Sequence, residues 1–327
     1  ESKVNTTTRT LSITALLATF ILSVGCTKSE RNLTIASASE DDRIVFAIEE
    51  LAQALRYELV EVEFGEDSGA DIHFVLVPDH DEIDPEGYML SRTADQTIEV
   101  LARDAAGAMY GGLELTEQIE LYGIEGVKEA AQNPYMEMRG TKFNIPLDVR
   151  TPSYTDMSDA AQNNMLEMWS FDFWKEYIDN MARYRYNFIS LWSLHPFPSL
   201  VKVPKYPEVA LDDVHKSKAQ LNEYYDLGAV GIDAPEIVEN YEVVRQLTIE
   251  EKIDFWKKVM QYGKSRNVDF FVITWNIFVN GTEDAPVIMT SKADVATWAP
   301  LASHPTGGDP KTGTWRAAAN EWGNLTI

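Results

Sequence analysis

Two hydrophobic rhythms divide the chain. In its first third, Ile44, Ala47, Ile48, Leu51 and Leu55 recur at intervals of three and four, which predicts a helix with one buried face. Ser37 with Glu40 reads as a capping box in front of it. Val60, Val62 and Phe64 alternate with Glu61 and Glu63, the period of a half-buried strand. Ile72 to Val77 is a stronger strand, closed by Pro78. Tyr88 to Arg92 and Thr97 to Ala102 read as a hairpin around Ala94-Asp95-Gln96. Asp104 then caps a helix carrying Ala108, Met109, Leu113, Leu115 and Ile119. Strands covered on one side by helices make a small α+β layer over residues 32–133.

Asn133-Pro134 reads as a linker, and past it longer strand–helix units follow. Met138 to Ile145 predicts a strand running into a polar loop. Trp174, Tyr177, Ile178 and Met181 line one face of a helix over 173–184. Asn187 ends that helix, and Phe188 to Leu194 is a near-continuous apolar strand. A long loop rich in proline and aromatics comes next. Thr248 and Glu251 form a second capping box, before a helix with Ile253, Trp256, Val259 and Met260. Val268 to Phe278 is a third strong strand. Apolar strands separated by amphipathic helices indicate a parallel sheet covered on both faces. Fewer than 200 residues follow Pro134, whereas a complete (β/α)8 barrel takes about 250. The expectation is a smaller open sheet or the front part of a larger barrel. Residues 298–327 are turn-rich and leave the rhythm.

Ahead of both regions, Leu11 to Val24 is an uncharged, largely apolar run of fourteen residues that follows Lys3 and Arg9. It is too short to span a bilayer, which needs about 20 apolar residues. A basic start and a short apolar stretch are the layout of a secretory signal over residues 1–31. The only cysteine, Cys26, falls directly after it, in Leu22-Ser23-Val24-Gly25-Cys26. That placement resembles a bacterial lipobox, in which the cysteine is acylated, although Ser23 stands where the usual leucine would. A lipid-anchored periplasmic or cell-surface protein is expected; a plain secretory signal or an anchor helix is the alternative. The first residue is Glu, so a trimmed start is expected too.

Charge narrows the partners. The 327 residues hold 28 Lys+Arg against 52 Asp+Glu, a net charge of −24. Nucleic acid and anionic membrane surfaces are disfavoured, because both are bound by clustered cations. Any membrane contact is expected only through the anchor. A lone cysteine excludes an internal disulfide and cysteine-based metal sites. The five histidines are scattered, with no His-Glu-x-x-His and no Gly-x-Ser-x-Gly. Gly263-Lys264-Ser265 closes a helix and lacks the first glycine of a phosphate loop. No cofactor and no metal are expected.

The run Asp104 to Leu115 (DAAGAMYGGLEL) with Arg139-Gly140 carries a resemblance. It is similar to the last helix of the small N-terminal domain of family-20 hexosaminidases and family-67 α-glucuronidases, and to the Arg-Gly pair that opens their first barrel strand. The helix over 173–186 followed by Asn187-Phe188-Ile189-Ser190-Leu191-Trp192 resembles their first barrel helix and second strand. The likeness spans roughly residues 32–290. It implies an α/β fold: a small α+β N-terminal domain over 32–133, then an incomplete (β/α)8 TIM barrel over 134–297. It further implies a glycoside hydrolase whose catalytic carboxylates lie at the fourth strand or later, outside this sequence.

Glycoside hydrolysis uses two carboxyl groups, and barrel sites gather at the carboxyl ends of the strands. The first strand offers Arg139, Asn144, Asp148 and Arg150. The resemblance implies that Arg139 bonds sugar hydroxyls; a salt bridge at the domain junction is the alternative. The second offers Trp192, Ser193 and His195, an indole to stack on a sugar face and an imidazole to donate to a hydroxyl. Trp192 as barrel core is the alternative. The third offers Trp275 and Asn276, which cannot both point inward on one strand, and Asn280 beyond them. Asp148, Asp156 and Glu283 are loop carboxylates of a kind more often solvated. The substrate-binding set expected is thus Arg139, Asn144, Trp192, His195, Trp275 and Asn276. The function expected is acid–base hydrolysis of an oligosaccharide or polysaccharide, with a non-catalytic glycan-binding lipoprotein as the alternative.

Overall fold

The computed structural model describes residues 32–55, 59–65, 69–151, 159–193, 196–204, 206–219 and 239–274. The chain is a mixed α/β structure. Its first sheet is built from β1 (Asn32–Ser37), β2 (Leu59–Phe64), β3 (Ile72–Leu76), β4 (Tyr88–Arg92), β5 (Ile98–Ala102) and β6 (Ala130–Gln132). Their order is β2-β1-β3-β5-β4-β6. β2, β1, β3 and β5 run parallel, while β4 is antiparallel to both β5 and β6. Helices α1 (Asp42–Ala54) and α2 (Ala105–Tyr122) pack on it. The predicted stripe Ile44, Ala47, Ile48, Leu51 and Leu55 is buried in the shared core with Leu33, Ile35 and Phe74.

The cap of α1 differs from expectation. Asp41, not Ser37 with Glu40, is its N-cap, accepting from Arg43 N at 3.0 Å; Ser37 Oγ instead donates to Ser39 O. Asp104 does cap α2, accepting from Gly107 N at 2.8 Å. The paired glycines of α2 have a packing reason. A Cβ on Gly112 would lie 2.8 Å from both Ala47 Cβ and Phe74 Cε1, so only glycine lets α2 approach α1 and β3 this closely.

The second sheet is β7 (Gly140–Asn144), β8 (Phe188–Ser193) and β11 (Asp269–Thr274), in the order β11-β8-β7 and parallel throughout. Between these strands come α3 (Asp159–Asn164), α4 (Phe171–Arg183), α5 (Phe197–Leu200), the antiparallel pair β9 (Asp213–Ser217) and β10 (Tyr241–Gln246), and α6 (Ile249–Lys264). Ser170 caps α4, and α6 carries the expected Thr248–Glu251 capping box. Thr141, Phe143, Ile189 and Leu191 share the face turned to the helices, with Phe143 against Phe173, Trp174 and Tyr177. Trp174 and Trp256 meet at 5.2 Å in this second core. Burying side chains of this size contributes roughly 2–3 kcal/mol each.

Strand neighbours in chain order, joined through helices, make an open parallel sheet among the described residues. Both sheets belong to one compact unit. Arg183 pairs with Glu50 of α1 at 2.7 and 2.8 Å, and the Arg266 guanidinium lies 4.3 Å from the Phe46 ring. No helix among the described residues is long and apolar enough to cross a membrane.

Candidate functional site

The three parallel strands place their carboxyl ends together because they are in register and equally directed. Asn144 of β7 pairs with Trp192 of β8, and Trp192 with Ile273 of β11. Register partners in a parallel sheet share a face, so Lys142 and Asn144 lie with Ser190, Trp192, Phe271 and Ile273 on the face turned from the helices. Lys142 Nζ sits 4.1 Å from the centroid of the half-buried Trp192 ring. The indole N–H donates to Ser190 Oγ at 2.6 Å. Phe188 and Phe271 meet edge to face at 5.6 Å, and Phe271 remains 45% exposed.

Some buried polar atoms without partners lie on the last residues of β7 and β8 or on the segments that follow. Asn144 Oδ1, Ser193 Oγ, Ser199 Oγ and Thr151 Oγ1 are buried and find no hydrogen-bond partner among the described residues. Each such group costs about 1–3 kcal/mol unless water or a ligand satisfies it.

Beside it stands a charged cluster that spacing alone did not reveal. Asp148, four residues past β7, is fully buried. Its carboxylate accepts from Arg150 Nε and Nη2, both at 2.7 Å, from Arg150 N at 2.9 Å, and from His215 N at 2.9 Å. Arg150 Nη2 also reaches Asp213 Oδ1 at 2.6 Å. Lys252, wholly buried, donates to Asp213 O at 2.6 Å and lies 5.3 Å from the Trp169 ring centroid. Burial pushes its ammonium down from the ordinary lysine value of 10.5 to about 8, with Asp148 and Asp213 opposing that fall and Arg150 adding to it.

Asp148, Asp213 and His215 offer ligand atoms within 4.8 Å of one another. Arg150 already bridges the two carboxylates, so a divalent cation would have to displace a guanidinium. His215 Nδ1 lies 3.3 Å from Asp213 Oδ1 but without hydrogen-bond geometry. As an acid–base pair these carboxylates are poorly placed: Asp148 is closed off from solvent and doubly bonded to Arg150.

The structure brings Asn144 and Trp192 together. Arg139 is separated from them and corrects the expectation that it belongs at the carboxyl end. It precedes β7, at the opposite end of the strand. Nε donates to Arg185 O at 2.8 Å, Nη1 to Met136 O at 2.7 Å, and Nη2 is paired with Glu86. Its guanidinium also packs over the Tyr110 ring. That is the junction salt bridge. His195, Trp275, Asn276, Asn280, Asp156, Glu283 and Cys26 lie outside the described residues. Sequence reading missed Asp213, Lys252 and Glu86. The only signal for Asp213 was the run Asp212-Asp213-Val214-His215, which is unremarkable in so acidic a chain.

No protein-family model matches the chain. No curated protein matches it either. Solved structures do. A GH138 enzyme targeting pectin rhamnogalacturonan II aligns with a TM-score of 0.52 at 21% identity, over 76% of this chain and 25% of that one. A β-hexosaminidase from Streptomyces plicatus aligns at 0.46 and 16% identity, over 73% and 41% of the two chains. A GH115 4-O-methyl-α-glucuronidase with specificity for decorated arabinogalactans aligns at 0.36 and 17%, over 49% and 25%. The first of these shows a glycoside hydrolase-like fold, and nothing about family. The chain spans a quarter to two fifths of the lengths of these proteins.

Proposed function

We propose that this chain is part of a glycoside hydrolase-like protein of polysaccharide degradation. In this reading residues 32–133 form a small N-terminal domain, and residues 134–297 are the first βα units of a TIM barrel. Glycan is held at the carboxyl ends of β7, β8 and β11. Asn144 and Trp192 contact it, joined by His195 and by one of Trp275 and Asn276. The observation that carries the reading is the two buried, unpartnered oxygens Asn144 Oδ1 and Ser193 Oγ on the last residues of β7 and β8, the ends where barrel enzymes bind substrate. The glycoside hydrolase-like fold supports it.

Hydrolysis would need a protonated and an ionised carboxyl group on either side of the glycosidic bond. The Asp148–Arg150 pair supplies neither, so the reading assigns both to segments outside the described residues. Asn144 would fix a sugar hydroxyl through its side-chain oxygen, and Trp192 would offer apolar surface to a sugar C–H face. The locked state of Asp148 also favours a second reading, a glycan-binding protein without catalysis. Titration with pectin-derived oligosaccharides, alongside an assay of sugar release, separates the two. Binding with release supports the enzyme, and binding without release supports the binding protein. Absence of both removes the glycan reading.

Secretion and acylation at Cys26 belong to the same proposal. Labelled palmitate should enter the protein expressed in a bacterial host, and Cys26→Ser should abolish the label. Equal labelling of that variant would contradict the anchor.

A further inference from the structure

One carboxylate of the first sheet gathers the amino ends of all three parallel strands. Glu86 lies in the loop before β4. Its Oε2 accepts from Arg139, the residue directly before β7. Both its oxygens lie 3.1 Å from Asn187 Nδ2, directly before β8. Oε1 accepts from Asn267 Nδ2 at 2.9 Å, two residues before β11. Two of the spokes also bond each other, and the first residue of β11 bonds one of them. Asn187 Oδ1 accepts from Arg139 N at 2.8 Å, Asn187 N donates to Arg139 O at 2.7 Å, and Asp269 N donates to Asn187 O at 2.9 Å.

The hub is held rigidly from its own side. Glu86 N donates to Asp104 Oδ2 at 2.8 Å, so the residue that caps α2 also fixes the hub. Asp84 N donates to Asn133 Oδ1 at 2.9 Å. A Cβ on Gly107 would lie 2.1 Å from Gly87 O, so the loop sits directly on the first turn of α2. Glu86 itself has φ 63, and Asn267 has φ 58. Left-handed backbone at residues other than glycine persists where the surroundings over-determine it. Here those surroundings are the hub's own bonds.

We infer that Glu86 is a positioning residue: anchored in the first sheet, it sets the spacing of the starts of β7, β8 and β11, and through these short strands the arrangement of their far ends. This does not depend on the glycan reading. A carboxylate suits the task because it only accepts, and all three contacting groups are donors. Glutamine would turn one oxygen into a donor facing other donors.

Hydrogen exchange of the full chain tests it. In Glu86→Gln the amides of Asn187 and Asp269 should exchange at least tenfold faster, while those of Leu113 to Ile119 in α2 keep their rates. Asn267→Gly, which removes one spoke and tolerates the left-handed backbone, guards against a misfolded hub variant. It should speed Asp269 and leave Asn187 within twofold. Glu82→Gln, in the same loop, is the control and should change neither. Unchanged rates in Glu86→Gln, or equal acceleration throughout α2 and both strands, would overturn the inference. So would a spread of the Asn267→Gly effect to Asn187.

Discussion

Lys252 Nζ, with no exposed surface, donates to the backbone oxygen of Asp213 at 2.6 Å. The bond places a cation beneath the Asp148–Arg150–Asp213 cluster, where burial lowers its affinity for a proton to about 8. The unfolded chain holds that proton up to the ordinary value of 10.5. Between these two values the unfolded state binds more protons than the folded one, so stability rises with pH across that window. Below about pH 8 the lysine is charged in both states, and its unfavourable contribution is complete. Urea unfolding at pH 7.5 and pH 10 should show a gain on the order of 2–3 kcal/mol from this group. Lys252→Met should lack that gain. An identical pH dependence in the two proteins would contradict the burial argument.

Arg150 neutralises a carboxylate that has no access to water. Truncating it to methionine keeps much of the packing but leaves Asp148 charged and buried. Loss of one partner from a buried pair costs about 3 kcal/mol or more. Arg150→Met should therefore lower the unfolding free energy by that amount, measured in urea at pH 7. The double variant Arg150→Met with Asp148→Asn should recover part of it. A single variant within 0.5 kcal/mol of the parent would show that the pair is not structural, using the ordinary range for surface changes as the yardstick, about ±0.5 kcal/mol.

Gly140 explains the Arg-Gly pair in packing terms. A Cβ there would lie 2.0 Å from the Phe188 carbonyl oxygen and 2.6 Å from Phe188 Cδ1. Backbone cannot yield as a side-chain tip can. Gly140→Ala should destabilise by about 3 kcal/mol by forcing β7 away from β8. Thermal unfolding reads this directly, and a melting temperature unchanged from the parent would rule the clash out.

Helical and strand periods were legible where one face is buried and the other is not. The stripe of α1, the alternation of β2, the hairpin of β4 and β5 and both helices of the second sheet follow from local pattern. β1 was missed because Asn32 to Ser37 is short and sits centrally, between two parallel neighbours, with Leu33 and Ile35 as its only large apolar residues. β9 and β10 were missed because Asp213-Val214-His215-Lys216-Ser217 is mostly polar. Only Val214 among these residues is a buried apolar side chain, while His215 N and Ser217 N donate to Asp148 and Gln162. Asn144 and Trp192 were readable as a strand-end pair, because register follows from two parallel strands. Arg139 was misplaced because an Arg-Gly motif says where a strand starts, not which end its side chain serves. The Glu86 hub could not be read at all, since its partners lie between 53 and 181 residues away along the chain.

The central claim is that glycan binds at the carboxyl ends of β7 and β8. It is tested most directly by following the Trp192 indole N–H resonance, assigned by its loss in Trp192→Phe, while the oligosaccharides of the binding titration are added to the full chain. The account predicts a saturable shift of that resonance, weakened at least tenfold in affinity by Asn144→Ala. A resonance that stays fixed while binding is detected calorimetrically, or a shift untouched by Asn144→Ala, would contradict it.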